Sequence, residues 1–247
     1  MANIQQTVTF NYPKAYAGGK YGENPRRSIT GIASGDIEFG QAVVLDSSSP
    51  LINGRRNLKL PSSKNDTFIG FAEQRHIEPN QNSPHTPIGQ VSSNRKVNWE
   101  NYDAVPVTAH GDIWVNAEEA VAPTDDVYVR FLTTSANKSV GYVRSDADQI
   151  TIDNVEIASN VGTLTSASDH ELNVGDTVTI EGLTTTDLNG TFEVQSVPSS
   201  TTFTVNVTAD DVASTSDSGT IDRAFKVSDA EFFTSTSGAD LVVVYLK

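Results

Sequence analysis

The sequence has no cysteine. A disulfide, a thiolate metal centre and a cysteine nucleophile are therefore excluded, while the redox compartment stays open, because any compartment tolerates a cysteine-free chain. Long apolar runs are missing as well. No segment approaches the roughly 18 residues that would span a bilayer, and the opening "MANIQQTVTF" lacks a basic stretch followed by an apolar one. The expectation is a soluble chain with neither a membrane span nor a cleaved signal peptide. Basic residues are scarce: 17 lysines and arginines face 31 aspartates and glutamates, and the 247 residues carry a formal charge of −14. A chain of that charge makes a poor electrostatic case for nucleic acid, which is bound through counterion release by clustered lysine and arginine.

Helical periodicity is also rare. The best helical stretches are "NAEEAV" at 116–121 and "TADDVAS" at 208–214, each good for no more than a turn or two, the second reading equally as a loop. What is present instead is short apolar/polar alternation cut by turn residues, the grammar of strands. In "HELNVGDTVTIEGLTTTDLNGTFEV", 170–194, alternation over Val178, Ile180 and Leu183 breaks at Asn189-Gly190 and resumes over Phe192 and Val194. This predicts strand, turn, strand. A Gly-Asp pair beside alternating apolar residues recurs in "ASGDIEFGQAVVL" at 33–45 and "AHGDIWV" at 109–115. The predicted architecture is all-β, with a compact barrel-like or sandwich-like body.

Charge divides the chain more sharply than hydrophobicity. Residues 1–109 hold 11 basic and 9 acidic residues, a net of +2, whereas the remainder holds 6 and 22, a net of −16. Between Asp148 and Arg223 lie 13 acidic residues against Arg223 alone, a net of −12. Strong strand patterns precede this segment ("DDVYVRF", "SVGYVR") and follow it ("AFKVSDAEFFTS", "ADLVVVYL"). The expected organisation is an N-terminal arm at 1–30, a discontinuous β body at 31–146 and 224–247, and an inserted acidic β domain at 147–223. Loop-closure entropy grows slowly with length, so such an insertion costs little. Its expected core is Val161, Leu164, Val178, Ile180, Leu183, Leu188, Phe192, Val194, Phe203 and Val205.

Residues 1–30 lack the apolar content for a core of their own. They read either as a loose terminus or edge strand, or as an arm that orders on a partner. In the second reading Tyr12, Tyr16 and Tyr21 supply aromatic contacts, and Lys14, Lys20, Arg26 and Arg27 supply charge.

Catalytic constellations are missing. The four histidines, His76, His85, His110 and His170, show no three- or four-residue spacing that suggests a metal site. Asp125-Asp126 and Asp210-Asp211 are adjacent, which on a strand points the two side chains to opposite faces. There is no G-x-S-x-G elbow, and "GIASGD" at 31–36 lacks the Lys-Ser/Thr of a phosphate loop. A sugar-depolymerising enzyme would be expected to show paired carboxylates among aromatics, yet the only tryptophans are Trp99 and Trp114. The reading is not an enzyme, with no cofactor and no metal.

The ordered series "GIASGDIEFGQAVVL", "FIGFAEQRH", "YDAVPVTAHGDIWVNAEEAVAPTDDVYVRF", "VGYVR" and "AEFFTSTSGADLVVVYL" resembles the capsid cement or decoration proteins of tailed bacteriophages. The matching positions are Gly35-Asp36 with Val43 and Val44; Gly70 and Ala72; Val105, Val107, Gly111, Ile113 and Val115; and Phe233-Thr234 with Gly238, Val242, Val243 and Leu246. The succession "NVGDTVTI", "LNGTFEV", "TTFTV" separately resembles small β domains grafted into phage structural proteins.

The resemblance implies a virion structural protein on the outer capsid surface that binds the major capsid protein, stabilises contacts between its subunits and assembles as a homotrimer. The capsid-binding residues would then be Tyr12, Lys14, Tyr16, Lys20, Tyr21, Arg26 and Arg27. Neither nucleic acid nor membrane is implied as a partner. The alternative is a virion-surface adhesion or host-binding protein acting through residues 147–223.

Overall fold

Short strands leave many unpaired edges, and closing a sheet into a ring removes them. The computed structural model, which describes residues 16–22, 25–48, 51, 54–74, 98–132 and 138–247, uses that solution twice. The first set of strands is Arg27–Ala33 (β1), Ile37–Glu38 (β2), Ala42–Leu45 (β3), Asn57–Lys59 (β4), Phe68–Ala72 (β5), Asn98–Trp99 (β6) and Ala104–Ala117 (β7). β1 runs parallel to β4, and antiparallel pairs β4–β3, β3–β5, β5–β7 and β7–β1 complete a ring of five. Ala33, Val43, Leu58, Ala72, Val105 and Val107 form its buried cluster with Ile37, Phe39 and Trp99, the last held on the β2–β6 pair. Gly70 lets β5 cross β7: at φ +153° a Cβ there would stand 2.2 Å from the Thr108 carbonyl oxygen.

Only the first half of β7 belongs to this ring. After Tyr128–Arg130 (β8) and Val143–Arg144 (β9), a second ring follows: Ile150–Ala158 (β10), Val161–Ser166 (β11), Thr177–Glu181 (β12), Gly190–Ser199 (β13), Thr202–Asn206 (β14) and Val212–Ile221 (β15). All its pairings are antiparallel, in the closed order β10-β11-β14-β13-β12-β15. Ile150 and Ile221 are register partners, so the chain enters and leaves this barrel side by side. Ala224–Lys226 (β16) then pairs with β8, Ala230–Phe232 (β17) with β18, and Asp240–Leu246 (β18) with the second half of β7. Buried apolar residues of this outer sheet, such as Ile113, Val129 and Val244, belong to one continuous cluster with the interior of the second barrel.

The strand-turn-strand reading of 170–194 holds as the antiparallel β12–β13 pair, with one turn of 3-10 helix at Thr186–Leu188 before Gly190. That turn is the one helical element among the described residues. The stretch at 116–121 instead finishes β7 and forms a bridge from Val121 to Thr236, and Val212–Ser214 open β15. Backbone pairing with a neighbouring strand overrides the weak helix propensity of the alanine and carboxylate residues. The Gly-Asp phrases are not structural repeats. Gly35-Asp36 and Gly175-Asp176 lie in loops before strands, while Gly111-Asp112 lies inside β7.

Eight of the ten residues expected in the core of the second barrel are buried there; Phe192 is half-buried and Val161 is 38% exposed. Val161 and Leu164 are three apart and cannot share a face of one regular strand. Leu164 takes the interior together with Gly162, whose missing side chain makes room for Leu188.

Candidate interaction surface

β7 and β18 pair with Trp114 opposite Val243 and Asp112 opposite Tyr245. Alternation sends Ile113, Val115, Val242 and Val244 into the core, which leaves Trp114, Val243 and Tyr245 on the other face. Residues 16–22 lie against this region. The Gly18 amide donates to the Trp114 carbonyl (2.7 Å), the Trp114 amide donates to the Gly19 carbonyl (2.9 Å), and Lys20 bridges Ile113. The close approach needs Gly18, since at φ +74° a Cβ would lie 2.6 Å from the Gln74 nitrogen.

The Tyr21 ring stands edge-on to Trp114 and tilted against Phe233, with 5.6 Å between centroids in each pair. Phe233 is 49% exposed and Tyr16 46%. An outward aromatic cluster of this kind offers large rigid contact area at low entropic cost, the property of residues that anchor protein interfaces.

Of the residues expected to meet a capsid, Tyr12 and Lys14 lie outside the described residues. Tyr21 belongs to the aromatic cluster, and Tyr16 is exposed on the same segment. Lys20 is already ion-paired although its side chain stays 46% exposed: its ammonium lies 3.1 Å from the Glu73 carboxylate, which also accepts from the Ser28 hydroxyl and from Thr108 Oγ1 (3.0 Å). Arg26 closes a loop by donating to the carbonyls of Tyr21 (2.8 Å) and Gly22. Arg27 is exposed at the start of β1, in register with His110. Trp114, Phe233 and Tyr245 were not expected at this surface. The available signal was Trp114 between Ile113 and Val115, an aromatic out of phase with two core positions.

Burial works against ionisation of Glu73, but hydrogen bonds from Ser28, Lys20 and Thr108 outweigh it and hold the carboxyl below its ordinary value of 4.5. A depressed folded-state pKa contributes stability that is present above the unfolded value and lost as pH falls through the folded one. Glu73→Gln is therefore expected to loosen residues 16–22 at neutral pH, read as about tenfold or more faster amide hydrogen exchange at Gly18, whose amide bonds Trp114. The wild-type segment should show the same loosening only on acidification below the ordinary carboxylate range. Equal exchange in the two proteins at neutral pH would show that Glu73 does not anchor the segment.

A second polar assembly lies where the second barrel joins the rest. Arg130, with a side chain 0% exposed, donates from Nε to Glu118 (2.6 Å) and from Nη2 to Asp148 (2.6 Å). Arg144 contacts Glu118 (3.2 Å), Asp146 (2.7 Å) and Asp148 (3.3 Å), and Arg223 contacts Asp148 (2.8 Å) and Glu171 (3.3 Å). Burial opposes the charge on Asp148, yet Arg130, Arg223 and Arg144 prevail and hold its carboxyl below the ordinary range. Lys64 adds contacts to Glu181 (2.9 Å) and Asp222 (2.8 Å). This is a structural clamp, with each carboxylate already paired to a cation.

Residues 4–169 match the model of a protein family described as "Structural cement protein (E217 gp24/Pam3 gp6)". No curated protein matches the chain. Among solved structures it is similar to a chain of "The capsid of Myoviridae Phage XM1", with 14% identity, a TM-score of 0.41, and coverage of 83% of this chain and 97% of that one.

Proposed function

Since the chain belongs to the phage structural cement protein family, as a component of the virion on its capsid, we propose that it attaches to the major capsid protein through the face built around Tyr21, Trp114 and Phe233. The observation that carries this reading is that cluster, outward-facing yet fixed by the pairing of residues 18–20 with β7. Tyr16 adds exposed aromatic surface on the same segment, while Lys20 and Arg26 hold that segment in place. Residues 1–26 act as the arm, 27–146 with 224–247 as the body, since β1 starts at Arg27 within the ring, and 147–223 as an inserted acidic domain turned away from the shell. A homotrimer suits a protein that bridges several shell subunits, because closed symmetry presents one surface repeatedly.

The work is binding rather than catalysis. A cleft of about 700 Å³ beside the root of the second barrel has its lining lysines in ion pairs: Lys64 with Asp222, Lys226 with Asp126 and Lys247 with Glu231. The family gives no support to adhesion through the inserted domain.

The test is a binding assay on purified undecorated shells, with electron microscopy of the particles. Saturation at regular sites is expected, and Phe233→Ser should weaken it by about tenfold, the scale of losing one aromatic anchor. Sparse or irregular binding would overturn the attachment reading. Unchanged binding by the variant would move the contact to another face.

A further inference from the structure

An acidic chain has carboxylates to spare for its few cations, so a cation left without one marks a place where a partner is favoured. Among the described residues, Lys20, Lys59, Lys64, Arg130, Lys138, Arg144, Arg223, Lys226 and Lys247 all stand within ion-pair distance of a carboxylate. Arg26 is spent on backbone carbonyls. That leaves Arg27, Arg55 and Arg56, all exposed and none ion-paired with a described residue.

The three are not scattered. Arg27 opens β1, and Arg55 and Arg56 lead directly into β4, the strand parallel to β1. The Ile32 amide donates to the Arg56 carbonyl (2.9 Å), so both segments belong to one strand pair of the five-stranded ring. Leu51, 64% exposed, stands on the connection that leads to Arg55. The second barrel carries the opposite character, with a net of −12 between Asp148 and Arg223. Among the described residues, the cations without a carboxylate or carbonyl partner thus lie on the β1–β4 rim, while the second barrel carries the negative charge.

We infer that the β1–β4 rim, through Arg27, Arg55 and Arg56, docks on an acidic protein surface of the shell. This rests on the attachment reading above and adds a second contact of different chemistry. The aromatic face supplies desolvated contact area; the rim supplies orientation and encounter rate, because unpaired surface charges act mainly on association and its salt dependence. The acidic barrel is repelled by the same surface, so one field both attracts the rim and turns the barrel outward.

The experiment measures attachment of full-length protein to undecorated shells at low and at physiological ionic strength. It uses wild type, Arg27→Glu/Arg55→Glu/Arg56→Glu and the charge-keeping Arg27→Lys/Arg55→Lys/Arg56→Lys. Circular dichroism confirms that each variant is folded, as expected for exposed positions. The charge-reversed variant should bind at least about tenfold more weakly at low salt and lose most of the salt dependence, while the lysine variant keeps both. Wild-type binding that is unchanged by charge reversal overturns the rim contact and leaves the aromatic attachment standing. If wild type fails to bind at any salt, the attachment reading falls and the rim contact with it. If charge reversal leaves shell binding intact but changes the mass of the free protein in light scattering, the rim contacts a second copy and the inference is wrong.

Discussion

Arg130→Met is expected to destabilise the protein by about 3–5 kcal/mol, since removing one member of a buried ion cluster strands the charges it served. Glu118 is the main casualty, with a side chain 1% exposed and its shortest contact to Arg130. Arg144 still reaches both Glu118 and Asp148, which places the expected loss toward the lower end of that range. Adding Glu118→Gln removes the stranded charge and should restore part of the stability, a coupling that urea denaturation of both single variants and the double variant will measure. A single Arg130→Met loss below about 1 kcal/mol would mean that the cluster is held by its surroundings and not by charge. Acid is expected to act in the same direction. The depressed pKa of Asp148 contributes stability above the ordinary aspartate value of 3.8, and that stability is lost as pH falls through the folded value.

Excising the second barrel should succeed or fail according to where the cuts are placed. Replacing residues 150–221 by a short Gly/Ser turn keeps Asp148 beside Arg130 and Arg223, and joins two positions that are register partners, so little chain is needed to close the gap. That variant is expected to unfold cooperatively and to attach to shells like the full-length protein. Replacing 148–222 instead removes Asp148, the one carboxylate touching Arg130, Arg144 and Arg223 together, and should leave a protein that aggregates or melts at markedly lower temperature. Equal stability of the two variants would show that the clamp is dispensable. A folded 150–221 replacement that no longer binds shells would put the barrel in the attachment surface.

The all-β class was legible because alternation is local: Val178 and Ile180, two residues apart, must share a face in any strand, and both are buried. The charge asymmetry was equally legible, since composition needs no coordinates. Two errors mark the limit of that reading. Apolar content groups Val161 with Leu164 although strand phase separates them, and the local pattern of 116–121 favours a helix although a neighbouring strand claims it. The proposed attachment surface is half visible in the sequence: Tyr21 stands out in the arm, but its neighbours Trp114 and Phe233 come from distant positions.

The sequence by itself determined the class of fold, the inward and outward faces of most strands, and the concentration of negative charge in one segment. Tertiary structure decided which charges are spent and which are free. Lys20 and Arg27 look alike in the sequence, yet one is paired with Glu73 and the other stands exposed with no ion pair to a described residue. Arg223 meets Asp148 across 75 positions, a contact that no local pattern encodes. The physical reason is range: side-chain direction follows from the period of a strand, whereas ion pairing depends on which strands the fold sets side by side.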